Sequence, residues 1–311
     1  MMDVINEINK LKKEKNAVIL AHNYQLPEIQ DIADFVGDSL RLSQEAAMTD
    51  AEIIVFCGVH FMAETASIIS PNKKVLIPAL NAGCSLSSTI TADQLREWRK
   101  VHPDAVIVSY VNTTAEVKAE SDYCCTSSNA VEIVSSIPQN KKILFLPDRF
   151  LGLYVEAMTN RKIEIWQGAC HVHEKIGDTS FDRARELYPQ SEFLIHPECG
   201  CSTSCMLKSS LFHDCKDVRI FSTEGMIQHI LSSPKKEFVV ATEIGILYRM
   251  KKLAPHKSFY PADENAVCEY MKMITLDSVL NALEKEEFEV KVPEELAIKA
   301  RLPIERMISV N

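Results

Sequence analysis

Long apolar runs and signal-peptide features are missing from this sequence of 311 residues. Its longest apolar stretches, such as those at 143–147 and 238–241, fall far short of the roughly 20 residues that a membrane-spanning helix needs. The N-terminal segment, 1–15, mixes acidic residues with its lysines and has no apolar stretch of the signal-peptide kind. We therefore expect a cytoplasmic protein without a membrane span.

Dense basic tracts and flexible linkers are also missing. The formal net charge is −9, so the basic footprint expected of a nucleic-acid-binding protein is not present. The 9 glycines and 13 prolines are spread thinly, and no low-complexity linker divides the chain. With 46% hydrophobic and 25% charged residues, the composition is typical of a folded globular protein long enough for two or three compact units.

Cysteine is abundant, but the CxxC motif does not occur among the 10 cysteines. In a reducing cytosol, so many cysteines favour metal ligation or redox chemistry over structural disulfides. Without CxxC pairs, a zinc ribbon, a thioredoxin-type motif and the usual ferredoxin spacing all lose support.

Short apolar runs rich in Val, Ile and Phe predict buried parallel strands. One set covers 16–21, 52–57, 105–111 and 192–195, and a second set, interpreted as one strand repeated three times, begins at charged residues and covers 73–77, 141–145 and 235–240. Helical segments at 40–48, 92–101 and 181–187 precede members of the first set. The pattern predicts an internal repeat of about 85 to 95 residues, which is the size of a small domain.

The alternation of helices and strands predicts an α/β fold of three similar three-layer α/β/α units with short parallel sheets. If the strand ends of all three units face one shared site, the units are arranged around a pseudo-threefold axis. We expect these units at 1–82, 83–168 and 169–255, with 256–311 holding a last cysteine loop and C-terminal helices that complete the first unit. Such units bind ligands beyond the carboxyl ends of their strands. The polar residues expected there are His22, Asn112, His196 and Glu198.

Three cysteines, Cys84, Cys170 and Cys268, lie in loop-like segments at separations of 86 and 98 residues, close to one repeat. One thiolate from each unit, meeting on a central axis, would make a metal site with three protein ligands. The simpler alternative is that these are free cysteines in buried loops.

Five segments resemble those of the quinolinate synthases, in order and over nearly the whole chain: Ala21-His22-Asn23-Tyr24-Gln25, Gly37-Asp38-Ser39-Leu40, Cys125-Thr126-Ser127-Ser128-Asn129-Ala130, His196-Pro197-Glu198-Cys199 and Met271-Lys272-Met273-Ile274-Thr275-Leu276. The resemblance implies three similar α/β/α domains around a [4Fe–4S] cluster held by Cys84, Cys170 and Cys268. One iron would then lack a protein ligand and act as a Lewis acid.

The resemblance also implies the reaction. Enzymes of this family condense iminoaspartate with dihydroxyacetone phosphate to give quinolinate, the pyridine precursor of NAD, with release of phosphate and water. The expected partners are therefore these small molecules, with transient contact to the enzyme that makes the imine, and neither nucleic acid nor membrane.

By the same resemblance, the catalytic residues are His22, Tyr24, Tyr110 and Glu198, with His173 a weaker candidate. The substrate-binding residues it implies are His22, Ser39, Tyr110, Asn112, Ser127, His196, Glu198, Ser222 and Thr223. Several of the hydroxyls lie at expected helix N-termini, which favour anions. Glu224 departs from this pattern, because a carboxylate beside an anion site is unfavourable.

The run Cys199-Gly200-Cys201-Ser202-Thr203-Ser204-Cys205 leaves alternatives open. We interpret its three sulfurs as structural or incidental, but they could bind zinc or form a redox-sensitive disulfide. One competing hypothesis is a zinc-dependent hydrolase built on this run and Cys170-His171-Val172-His173; another is a redox-sensing binding module. The cysteines at 57, 124 and 215 are most simply buried small hydrophobes.

Overall fold

In a computed structural model of the chain, residues 2–212 and 217–310 are described, and they form an α/β structure. Its helices are α1 (Met2–Glu14), α2 (Pro27–Ile32), α3 (Ser39–Met48), α4 (His60–Ile69), α5 (Ala92–Val101), α6 (Ala115–Ala119), α7 (Ala130–Ser136), α8 (Arg149–Thr159), α9 (Asp178–Leu187), α10 (Gly200–Phe212), α11 (Thr223–Ser232), α12 (Ile246–Leu253), α13 (Leu276–Lys285) and α14 (Glu294–Ile308). Two short 3₁₀ helices lie at Ser87–Thr89 and Met271–Met273.

The described strands form three sheets of four strands each. The first contains β1 (Ala17–His22), β2 (Phe35–Gly37), β3 (Ile53–Cys57) and β4 (Lys74–Leu76); the second β5 (Val106–Tyr110), β6 (Tyr123–Cys125), β7 (Ile143–Leu146) and β8 (Glu164–Ile165); the third β9 (Glu192–Ile195), β10 (Val218–Ile220), β11 (Glu237–Ala241) and β12 (Ser258–Pro261).

All three sheets have the same topology. Their orders are β2-β1-β3-β4, β6-β5-β7-β8 and β10-β9-β11-β12, and every neighbouring pair within them is parallel. Parallel strands need crossover connections, and helices supply them here. The predicted fold class, three similar α/β/α units with short parallel sheets, is confirmed. The residue boundaries proposed for the units stay a prediction.

The equivalence assumed between the strands of the second predicted set is wrong. The run at 73–77 forms β4, the edge strand of its sheet, whereas 141–145 and 235–240 fall on β7 and β11, which lie beside the central strand. The charged residues mark the solvent-exposed start of a strand, and edge and inner strands both begin there. They therefore carry no information about strand position.

Alternating side chains of β1 place the first sheet between two apolar layers. Ile19 and Ala21 pack in one cluster with residues of α1 and α13, while Val18 and Leu20 pack in another with residues of α3 and α4. This is the period-two pattern of a strand buried on both faces. The residues just beyond the strand ends are therefore held by a rigid scaffold.

The last helix, α14, continues to Ile308 although it contains Pro303. A proline removes one hydrogen bond from a helix, but Pro303, Ile304 and Met307 are all buried. Packing of this face explains why the helix continues. No helix among the described residues combines the length and apolar character needed to cross a bilayer.

Candidate functional site

The carboxyl ends of strands from all three sheets open into one cavity of about 720 Å³, counting the open space at its mouth. Nearly all of the predicted site residues line it: His22, Tyr24, Ser39, Cys84, Tyr110, Asn112, Ser127, Cys170, His196, Glu198, Thr223 and Cys268. Ser222 is the exception, because its hydroxyl caps α11 by accepting a bond from the Gly225 amide at 3.1 Å.

The three loop cysteines differ from the other cysteines that the structure describes. Cys84, Cys170 and Cys268 follow the last strand of the first, second and third sheet, and all three are partly exposed to the cavity. The other described cysteines are buried: Cys57, Cys124, Cys125, Cys199, Cys201 and Cys205. Thiols open to a shared cavity can ligate a group bound there.

The loop before Cys170 is held by a close backbone approach. A Cβ atom on Gly168 would lie 2.5 Å from the Pro147 carbonyl oxygen, so only glycine fits there. The Asp148 carboxylate accepts a bond from the Leu151 amide at 2.8 Å, and the Arg149 amide donates to the Gly168 carbonyl oxygen at 2.8 Å. The Cys170 thiol is therefore presented from a fixed loop.

Burial raises the pKa of each loop cysteine, that of Cys84 to about 11. Without a metal, the three thiols are protonated at neutral pH. Binding of iron would replace these protons, as in other thiolate sites. Donors of this type suit an iron–sulfur cluster, whose iron atoms prefer cysteine thiolates.

The predicted buried character of Cys57 and Cys124 is confirmed, and Cys215 lies outside the described residues. Cys199, Cys201 and Cys205 pack in the apolar core around the third sheet, and the Cys199 thiol donates to the Ala241 carbonyl oxygen at 3.2 Å. The ligand atoms that converge closely enough for a single ion, among described residues, belong to His173, His196 and Glu198. The cysteine-rich zinc site of the hydrolase hypothesis is not assembled in that part of the chain.

Glu198 is the centre of a buried group of proton-exchanging side chains. Tyr110 donates a hydrogen bond to Glu198 Oε1, and the Nδ1 atoms of His196 and His173 lie 3.7 and 3.8 Å from its carboxylate oxygens. Burial raises the pKa of Glu198, and the nearby charge of Asp148 adds to this effect. A carboxyl with a raised pKa exchanges protons more readily near neutral pH than an ordinary glutamate.

Three buried polar atoms of the cavity wall have no hydrogen-bond partner among the residues that the structure describes. They are Asn112 Oδ1, His173 Nδ1 and His196 Nδ1. Leaving such atoms unpaired is costly, so native proteins satisfy nearly all of them. Their position on the wall indicates a polar ligand.

Tyr24 and His22 form the part of the wall contributed by the end of β1. The Tyr24 hydroxyl lies 2.5 Å from Thr242 Oγ1, and the Tyr24 amide donates to His22 Nδ1 at 3.2 Å. Burial lowers the pKa of His22 to about 3, with Lys272 and Arg249 acting in the same direction. His22 is therefore a neutral imidazole at physiological pH.

Hydroxyl groups and helix starts form another part of the wall. Ser39 and Thr223 are the first residues of α3 and α11, and Ser127 Oγ lies 3.1 Å from His196 Nε2. Free backbone N–H groups at helix starts favour anions. Glu224, which departed from the expected pattern, is paired with Arg249 at 2.7 Å, so its charge is compensated.

Sequence reasoning assigned no role to Asp38, Asp148, Glu243 and Tyr270, and it considered His171 only for the hydrolase hypothesis. Glu243 follows β11 and Asp148 follows β7, so the strand-end rule that selected Asn112 would also have found them. Asp38 caps α3 through the Arg41 amide at 2.9 Å and accepts from Ser128 at 2.7 Å. Glu243 accepts from Lys272 at 2.9 Å and from the Cys268 amide at 3.2 Å, which holds the third cysteine loop.

Comparison with known proteins gives one consistent result. Residues 6–309 match the family model described as Quinolinate synthetase A protein. The chain is 56% identical over 301 residues to a quinolinate synthase of Pyrobaculum aerophilum, covering 97% of each chain. It is 52% identical over 305 residues to a quinolinate synthase of Thermus thermophilus (98% and 96% covered) and 51% identical over 308 residues to one of Mycobacterium leprae (98% and 87% covered).

Proposed function

The chain belongs to the quinolinate synthase family, and on that premise we propose that it condenses iminoaspartate with dihydroxyacetone phosphate to quinolinate for NAD biosynthesis. The observation that carries the proposal is the convergence of one partly exposed thiol from the loop after each sheet on the cavity that also holds Glu198 and Tyr24.

The proposed cofactor is a [4Fe–4S] cluster held by Cys84, Cys170 and Cys268. The donor set fits, because three thiols face one cavity. The ligands of a cubane cluster are separated by the width of the cluster. In agreement, these three sulfurs are not among the ligand atoms of described residues that lie close enough together to hold a single ion. When bound, the cluster would supply a Lewis-acidic iron without a protein ligand.

The proposed anchoring of the substrates uses neutral donors. The reactants bring two carboxylates and a phosphate into a cavity whose hydroxyls and amide belong to Ser39, Ser127, Thr223 and Asn112. Because the chain has a net charge of −9, long-range attraction cannot collect these anions. Local hydrogen bonds and helix starts must bind them.

The proposed proton transfers use His22, Tyr24, Tyr110 and Glu198. Iminoaspartate and dihydroxyacetone phosphate balance against quinolinate, one phosphate and two waters, so the reaction needs no oxidant. It does require protons to leave carbon and nitrogen and to reach departing oxygens. The raised pKa of Glu198 and its bond from Tyr110 support a role for Glu198 in moving these protons, and we assign Tyr24 to proton transfer at the triose.

Anaerobic purification with iron and sulfide analysis, followed by a quinolinate assay, tests the proposal. We expect about four irons and four sulfides per chain, in line with a [4Fe–4S] cluster, and formation of quinolinate from both substrates. A single zinc ion would instead support the hydrolase hypothesis, and no metal would support the binding module. Either result, without quinolinate formation, would refute the proposed function.

A further inference from the structure

A buried polar chain links the hydroxyl of Thr223 to a charged pair. Thr223 Oγ1 accepts a hydrogen bond from Asn23 Nδ2 at 3.0 Å, and Asn23 Oδ1 accepts one from Arg249 Nη1 at 2.7 Å. The same guanidinium donates to both carboxylate oxygens of Glu224, at 2.7 and 3.2 Å. Asn23 is 0% and Thr223 3% exposed, so solvent does not compete for the inner bonds.

Arg249 determines the orientation of the Asn23 amide. A guanidinium has donors only, so the side-chain atom of Asn23 that faces it must be the oxygen Oδ1. The NH₂ group is then left to face Thr223. The backbone of Asn23 is fixed as well. Its backbone N–H donates to the Gly37 carbonyl oxygen at 3.0 Å, and its backbone carbonyl oxygen accepts a bond from the Gln30 side chain at 3.2 Å.

This orientation decides what the Thr223 hydroxyl can do. A hydroxyl can donate its one hydrogen and can also accept a hydrogen bond. Here the oxygen of the Thr223 hydroxyl already accepts a bond from the Asn23 side chain. Within the described part of the chain, no side-chain acceptor takes the hydrogen of Thr223. Thr223 lines the cavity, so this hydrogen remains for a bound molecule.

We infer that Asn23 and Arg249 are positioning residues that make Thr223 a committed hydrogen-bond donor to an anionic oxygen of the substrate, either phosphate or carboxylate. The inference rests on the proposed function, because it takes the ligand of the cavity to be an anion. It also gives Glu224 a role: by pairing with Arg249, it compensates the positive charge, so that Arg249 acts through Asn23.

The substitution Asn23→Asp tests the direction of the bonds. The new carboxylate has nearly the same size and still accepts from Arg249, but its other oxygen also accepts. The Thr223 hydroxyl would therefore turn away from the cavity to donate to it, and the substrate would lose a donor. In Asn23→Ala, the hydroxyl loses its partner but can still donate to the substrate.

Two quantities report the effect in the cluster-loaded enzyme: the dissociation constant of quinolinate, and the KM for dihydroxyacetone phosphate. We expect at least one of them to rise by about tenfold or more in Asn23→Asp and by only about threefold in Asn23→Ala, with kcat changed less. Quinolinate carries no phosphate and the triose carries no carboxylate. The constant that rises more therefore identifies the anion that Thr223 binds.

Three controls complete the experiment. Asn140→Asp makes the same change on an exposed turn and should alter neither constant. In a Thr223→Val background, Asn23→Asp should have a much smaller effect. If Asn23→Asp does not fold, Arg249→Leu combined with Glu224→Leu removes the orienting donor without leaving a charge, and should raise the same constant about threefold.

A structural role for Asn23 predicts the opposite order, with Asn23→Ala at least as harmful as Asn23→Asp. That order, or unchanged constants in the double leucine variant, would overturn the inference while leaving the proposed function intact. A wild-type enzyme that neither forms nor binds quinolinate would overturn both.

Discussion

Two groups of cysteines in this chain have similar chemistry and opposite surroundings. Cys84, Cys170 and Cys268 are far apart in sequence and meet at one cavity, whereas Cys199, Cys201 and Cys205 are close in sequence and lie within the apolar core of the third sheet. The close sequence spacing of Cys199, Cys201 and Cys205 is typical of a metal-binding motif. The comparison teaches that exposure to the cavity, which the tertiary structure decides, is a better guide to the chemistry of a cysteine than its spacing in the sequence.

The largest expected effect is loss of the cluster when a cavity cysteine is replaced. Cys84→Ser, Cys170→Ser and Cys268→Ser should each lower turnover by more than about 100-fold, since even partners outside the ligand shell can have effects of that size. Iron and sulfide analysis and a quinolinate assay measure the loss, and circular dichroism checks the fold. A serine variant that keeps its iron would remove that cysteine from the ligand set.

Two adjacent residues sharpen the comparison, because Glu198 lines the cavity and Cys199 lies in the core. Glu198→Gln keeps the size but removes a proton acceptor, so turnover should fall by about 10²-fold or more with an unchanged cluster spectrum. Cys199→Ala should retain most of the turnover. Similar losses in both variants would mean that the Glu198 effect reflects disturbed packing.

Within the cavity, Ser127→Ala should weaken binding of quinolinate by about 1–3 kcal/mol, because a carboxylate oxygen and His196 both lose a partner. Titration of the cluster absorption with quinolinate measures this change. Ser136→Ala is the matched control, since its hydroxyl donates to the Ile133 carbonyl oxygen at 2.7 Å outside the cavity lining. Equal affinities in wild type and Ser127→Ala would exclude Ser127 from substrate binding.

The smallest expected effect on function comes from the core. Cys201→Ser should leave iron content and turnover unchanged while destabilising the protein by about 1–3 kcal/mol, since it buries a hydroxyl among apolar side chains. Thermal unfolding of the loaded enzyme reports the loss. If this variant loses its iron while its fold stays intact, Cys201 would have to be counted among the cluster ligands.

Much of the fold could be predicted because its inner strands are mainly apolar segments of four to six residues. All the predicted strands form, but five of the twelve described strands were not predicted, since two to four residues are too few to show a period: Phe35–Gly37, Tyr123–Cys125, Glu164–Ile165, Val218–Ile220 and Ser258–Pro261. These are edge strands, and each of them pairs with one inner strand of its sheet. Local patterns therefore identify the centre of each sheet better than its edge.

The site was predictable to the extent that its residues follow recognisable strands or fall in the resembling segments. Sequence order could not show that Asp38 accepts from Ser128, or that Asn23 lies between Arg249 and Thr223. These partners are 90, 226 and 200 residues apart, and packing of separate sheets brings them together. Such contacts depend on tertiary structure, which no local pattern encodes.

The most direct test of the central claim is a titration of the anaerobically prepared enzyme with quinolinate, followed by the absorption or paramagnetic spectrum of the cluster. If Cys84, Cys170 and Cys268 hold a cluster whose remaining iron faces the cavity, the spectrum should change in a saturable way. The change should survive Cys201→Ser and weaken in Ser127→Ala. A spectrum that stays constant at saturating quinolinate would contradict the account, because the cluster and the anion site would then be separate.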